Sequence, residues 1–187
     1  RLITNMLQGA SRLMRSEIRC NMHAGPESAY GSPLEYALAV AIELHVRLKY
    51  QHLILFGLLP KHTDEDVKGA VLRLEKTRAT EAIICPQVRI GSYTVDFFVA
   101  HVAGLLDTAR GLVIEVDGHD FHERTKEQAR KDKSRDRFLQ SCGYKVLRFT
   151  GSEVWRDPFE CAQSIIVEIV QALMVVQSAR DLAADGK

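Results

Sequence analysis

The chain has 187 residues, 46% apolar and 26% charged, and a formal net charge of +1. These proportions exclude a disordered or fibrous protein and fit one domain with a sizeable core, with helical additions at either end. The apolar runs Leu53–Pro60 and Ala162–Val176 read as too short, or too interrupted by Gln and Glu, to cross a bilayer, and no leader pattern opens the chain; a soluble cytoplasmic protein without membrane contact is expected. Cys20, Cys85, Cys142 and Cys161 lack Cys-x-x-Cys spacing, which argues for reduced thiols over a zinc knuckle or a disulfide framework.

In chain order, Leu2–Cys20 reads as a weak helix and Asn21–Gly31 as a Gly-, Pro- and Ser-bearing break. Residues 1–31 are therefore taken as a helical extension and linker, 32–180 as the main domain and 181–187 as a polar tail. Ser32 is a natural N-cap, with Pro33 at the first helical position and Glu35 at the capping-box position, and Leu34, Leu38, Ile42 and Val46 carry a helix to about Tyr50. After Gly57 and Pro60, Thr63 starts a second helix that runs to about Arg78. Two strands, Ala82–Ile90 and Tyr93–Ala100, flank Gly91-Ser92 in hairpin fashion, and Leu112–Asp117 is the third. A helix from about Glu123 to Cys142 ends at Gly143, a short strand spans Tyr144–Thr150, and a last helix spans Pro158–Ala179. Ile165, Ile166, Ile169, Leu173 and Val176 form a face on that helix which must be buried.

Charges interrupt this pattern where a buried strand should carry only apolar residues. Glu115 and Asp117, two apart, point to the same face of the third strand, and Asp96 sits among aromatic and β-branched residues on a strand that should be central. Buried carboxylates are costly unless they hold a cation or share a proton. Adjacent strands that each place a carboxylate near one end can together bind a hard cation, and Mg²⁺ typically takes one or two carboxylates, a carbonyl and waters. Asp96, Glu115 and the Val116 carbonyl suit that mode, with Mn²⁺ as a substitute. From Arg124 to Arg137, seven basic residues (Arg124, Lys126, Arg130, Lys131, Lys133, Arg135, Arg137) stand against Glu127, Asp132 and Asp136, a surface suited to phosphates or a solvated helix laced with ion pairs.

Asp96 on a hairpin strand, Ile114-Glu115-Val116-Asp117-Gly118, His122, Asp132, Arg135-Asp136, Leu139, Gly143 and Val146-Leu147-Arg148-Phe149 resemble the very-short-patch-repair-like branch of the PD-(D/E)XK nuclease superfamily. Ser32-Pro33-Leu34-Glu35 is similar to its opening helix, and the likeness covers about Ser32 to Pro158. The resemblance implies an α/β restriction-endonuclease-like core, with a mixed sheet of about four strands flanked by helices, and Mg²⁺-dependent hydrolysis of nucleic-acid phosphodiesters, DNA more than RNA. The superfamily's usual lysine, two residues after the strand acid, is replaced by Asp117. The branch itself is similar in lacking that lysine, and what it implies is a proton-transfer role for His122, whose titration near neutral pH suits it. Asp117 then binds metal or orients a water or His122.

Glu35 is a further candidate for the site, although its capping position alone explains it. Arg148 contacts phosphate or pairs with an acid, and Arg135 either holds the site acids or phosphate, or joins Asp132 and Asp136 in pinning the helix to the sheet. His119 and His122 make half of a zinc site with no second half in view. A catalytically silent nucleic-acid-binding module and a structural subunit with ion-paired acids remain as alternatives, and cutting both strands of a duplex would call for a homodimer.

Overall fold

The structure, a computed structural model, describes residues 30–51, 53–56, 63–78, 81–101, 111–117 and 126–185. The helix read at Leu2–Cys20 and most of the break after it lie outside these residues. Helix α1, Pro33–His45, starts where Ser32 Oγ accepts the Glu35 amide at 3.2 Å, and it continues as a wider π turn over Val46–Tyr50. A three-residue strand, β1 (Ile54–Phe56), too short to be read from one apolar run, precedes helix α2 (Asp64–Arg78). Thr63 caps α2 reciprocally with Asp66. Strands β2 (Ala82–Ile90) and β3 (Tyr93–His101) form the expected hairpin. Gly91 supplies the positive φ of 59° in the turn, and a Cβ there would lie 2.7 Å from the Phe138 ring.

Strand β4 (Leu112–Asp117), helix α3 (Lys126–Ser141) and strand β5 (Lys145–Thr150) follow, with Gly143 at φ 81° between the last two. A short helix α4 (Gly151–Arg156) was not expected, although Thr150-Gly-Ser-Glu153 forms a complete capping box that the sequence displays. Helix α5 runs from Pro158 to Asp185, beyond the expected Ala179 and through most of the supposed polar tail, because no Gly or Pro stops it before Gly186.

The five strands lie in the order β1-β2-β3-β4-β5, with parallel pairs at both edges and antiparallel pairs in the middle. This is the α/β core with a mixed sheet, enlarged by β1. On one face Ile84, Phe97, Val99 and Ile114 pack with Leu38 and Ile42 of α1 and with Ile165, Ile166 and Ile169 of α5. On the other, Ile83, Cys85, Val88, Phe98 and Val113 pack with Val67 of α2 and Leu139 of α3. Each such side chain contributes roughly 1.5–3 kcal/mol when fully buried. By length and composition Pro158–Val175 does suffice to cross a bilayer, contrary to the sequence reading, yet its apolar face is part of this core. Trp155 also packs against that core, as a packing residue should.

Two departures from regular pairing shape the middle of the sheet. On β2, Ile83 and Cys85 face the α2/α3 side, and so do Val88 and Ile90; on β3, Val95 shares that side with Phe98 and Ala100. Alternation therefore slips by one residue on both strands, and the slip falls where Pro86 pairs with Phe97 and Val88 with Val95, leaving Gln87 and Asp96 opposite each other outside the ladder. Gln87 takes a φ of 50°, a conformation that costs of order 1–3 kcal/mol in a residue with a side chain. The second departure is that β3 pairs β4 only over Phe97–Val99 and Leu112–Ile114. Beyond that point β3 stays with β2 and β4 follows β5 out to Asp117, so the sheet forks.

Candidate active site

Asp96 and Glu115 stand at the base of the fork, one on each diverging strand. The Asp96 carboxylate takes the place of the lost strand pairing, with Oδ2 accepting the Val116 amide at 2.7 Å. Because N–H and C=O of one residue point to the same edge of a strand, the Val116 carbonyl lies on the fork side as well. Glu115 is almost fully buried, at 4% exposure, and its Oε1 accepts from Arg135 of α3 at 2.6 Å. The same guanidinium nitrogen also donates to the Thr94 carbonyl at 2.6 Å, while Arg135 Nε is buried without a hydrogen-bond partner. Arg135 thus bridges the two arms of the fork.

Asp117, one turn of the pleat further out, accepts from Arg148 at 3.3 Å, and Arg148 also pairs closely with Asp136. The α3 residues Arg135 and Asp136 therefore pin that helix to the sheet, and Arg148 pairs with acids. Glu35 approaches from α1. Its Oε2 accepts from the Gly31 amide at 2.8 Å and from Gln87 Nε2 at 2.7 Å, so only the Ser32 half of the expected capping box forms. At 6% exposure Glu35 is a buried acid, and a Cβ at Gly31 would come within 3.0 Å of its Oε1. Lys126, Arg130 and Lys131 are exposed along α3. His122 and Arg124, with Gly118 and His119, lie outside the described residues.

The surroundings of both fork acids disfavour their charged forms. Burial, then the repulsion of Glu35, pushes the Asp96 carboxyl up to about 6, against the opposing Val116 hydrogen bond and the Arg135 charge. Burial, then the repulsion of Asp96, pushes Glu115 up to about 8 despite Arg135 and Arg148. Among the described residues, Arg135 pairs with Glu115, and Arg148 with Asp117 and Asp136, while Asp96 and Glu35 are held by amide donors. Among the described residues no group of three or more His, Cys, Asp or Glu side chains converges on one point. The donor set that is present, two repelling hard carboxylates beside a strand carbonyl, fits a hard divalent cation that keeps several waters. Gln87 was missed in the sequence. The available signal was Pro86-Gln87 inside a strand whose apolar alternation breaks at that step.

This fold and fork define a restriction-endonuclease-like protein. The REase_MTES_1575 family model matches residues 73–169, just over half of the chain, and the protein belongs to that family, a nuclease family whose class implies contact with nucleic acid. It is also similar to an uncharacterized protein of Haemophilus influenzae, with 39% identity over 83 residues, 44% of this chain and 45% of the relative. The match thus spans about half of the relative's length. No solved structure matches the chain.

Proposed function

We propose that the protein is a Mg²⁺-dependent endonuclease of the very-short-patch-repair-like kind that hydrolyses phosphodiester bonds of DNA. The observation that carries this reading is the fork itself, which sets Asp96 and Glu115 on two diverging strands with their ionised forms destabilised by burial and then by a neighbouring acid, Glu35 for Asp96 and Asp96 for Glu115. A divalent cation relieves that repulsion. Asp96, Glu115 and the Val116 carbonyl would hold Mg²⁺, or Mn²⁺ in its place, which supplies Lewis acidity toward a scissile phosphate and lowers the pKa of a bound water. Arg135 supplies positive charge beside Glu115 where the superfamily's lysine is absent, and Arg148 orients Asp117. His122 is assigned proton transfer, and Glu35 accepts a hydrogen bond from water at the site. Lys126, Arg130 and Lys131, with Arg124, contact backbone phosphates, which fixes position without reading bases.

One observation favours a second reading, a structural subunit: Arg135 and Arg148 already pair with Glu115 and Asp117. The two are separated by a cleavage assay on supercoiled plasmid with Mg²⁺, Mn²⁺ or EDTA, repeated on single-stranded DNA and RNA. Metal-dependent nicking or linearisation that falls at least ~10³-fold in Asp96→Ala, with the fold retained by circular dichroism, is expected. Absence of cleavage with either metal on every substrate, or full activity of Asp96→Ala, overturns the nuclease reading.

A further inference from the structure

Gln87 is the described non-glycine residue with a positive φ, and it occupies the unpaired step of the β2–β3 ladder directly opposite Asp96. A strained conformation in a central hairpin persists only where its surroundings hold it, and such outliers concentrate at functional sites. Its half-buried side chain crosses from the sheet to α1 and donates to Glu35 Oε2 at 2.7 Å, between residues 52 apart in sequence. The Gly31 amide donates to the same oxygen at 2.8 Å, so both bonds fall on Oε2. Two donors on one oxygen hold the carboxylate's orientation as well as its position. A regular strand would place residue 87 on a face set by strict alternation; the slip at this step is what releases its side chain toward α1.

We propose that Gln87 is a positioning residue for the acidic fork: its backbone distortion aims the carboxamide at Glu35 and locks that carboxylate beside Asp96, so that Oε1 faces the waters of a divalent cation bound at the fork. This inference rests on the cation-binding reading above, and it assigns a role to the one strained side chain of the hairpin. Gln87 acts through Glu35 and touches no reacting atom. It also explains why the residue opposite the central acid is a long amide: Asn would fall a methylene short of α1, and Glu would set a third like charge against Glu35 and Asp96.

The test uses the full chain and two readouts, Mn²⁺ affinity by titration calorimetry and plasmid cleavage, on wild type, Gln87→Gly, Gln87→Glu, Glu35→Ala and the double variant Gln87→Gly with Glu35→Ala. Gln87→Gly tolerates the positive φ, so its melting temperature should hold or rise, while Mn²⁺ affinity and cleavage each fall by about 10-fold. Gln87→Glu should weaken both further. In the Glu35→Ala background Gln87→Gly should add nothing, since the two residues form one unit. A folded Gln87→Gly protein with wild-type Mn²⁺ affinity and cleavage overturns the inference and leaves the nuclease reading intact, as do additive losses in the double variant. If wild type binds Mn²⁺ without cleaving any substrate and Gln87→Gly binds it about 10-fold more weakly, the nuclease reading fails and the positioning role stands. Wild type that binds no Mn²⁺ overturns both.

Discussion

Two clusters of ionisable side chains are buried against this sheet, and they are built on opposite principles. At the junction of α2 with the start of β5, Lys68 donates to Asp64 at 3.1 Å, to Glu65 at 2.9 Å and to the Tyr144 hydroxyl at 2.6 Å, and Tyr144 in turn donates closely to Asp64. Burial alone would lower the Lys68 pKa, yet the hydrogen bonds it donates to Tyr144, Glu65 and Asp64 outweigh it and raise it, so the charged form is stabilised by the fold. At the fork, burial and then a neighbouring acid, Glu35 for Asp96 and Asp96 for Glu115, raise both carboxyls, so their charged forms are destabilised. The charge of the first cluster is met by its own hydrogen bonds; on the proposed function, the second takes up a cation. A buried cation whose charged form is stabilised by its partners serves the fold, whereas buried carboxylates whose charged forms are destabilised mark a candidate functional site.

Substitutions that remove one charge from each cluster should therefore act in opposite directions. Lys68→Ala leaves Asp64 and Tyr144 without their cation in a largely buried setting and should cost about 2–4 kcal/mol in urea unfolding. A loss below ~0.5 kcal/mol would show that the two clusters do not differ in kind. Asp96→Asn, whose amide oxygen can still accept the Val116 amide, should instead stabilise the metal-free protein at pH 7.5 by about 1–2 kcal/mol while abolishing Mn²⁺ binding. Destabilisation by Asp96→Asn would make the fork a structural ion-pair network after all.

The same contrast has a pH signature. A carboxylate whose folded pKa lies above its unfolded value binds more protons in the native state, so stability falls as pH rises between the two values. For Asp96 that window runs from 3.8 to about 6, and for Glu115 from 4.5 to about 8. Unfolding free energy without metal should decline across pH 4–8, and this decline should lessen in Asp96→Asn and with saturating Mn²⁺. The smallest expected effect concerns α3: Lys131→Ala and Arg130→Ala should each leave the fold unchanged and reduce the slope of log K for DNA against log salt by about 0.9 per lost phosphate contact. Unchanged slopes would place the nucleic-acid path elsewhere.

Much of the architecture was legible because it is written in local physics. The caps at Ser32, Thr63 and Thr150, the hairpin at Gly91 and the apolar faces of α1 and α5 depend on residues a few positions apart, and all were read except the Thr150 box and the Glu35 half of the Ser32 box, where Glu35 turns to Gly31 and Gln87 instead. The acids were legible for the converse reason: Asp96 and Glu115 contradict the strands that carry them. Three-residue β1 and the continuation of α5 to Asp185 were not read, the first because three residues carry no period and the second because polar composition was taken for the end of a helix.

What the sequence by itself determined is thus the order of the longer helices and strands, without β1 and α4, the apolar faces of α1 and α5, and the presence of carboxylates too costly to bury without purpose. Only the tertiary structure decided that β3 and β4 part after Phe97 and Ile114, that Asp96 caps the broken ladder through the Val116 amide, and that Arg135 and Gln87 reach Glu115 and Glu35. Those contacts join residues 20 and 52 positions apart. Side-chain periodicity records which face a residue takes, while the register at which strands separate, and the partner a long side chain then meets, are set by packing the whole sheet between its two layers of helices.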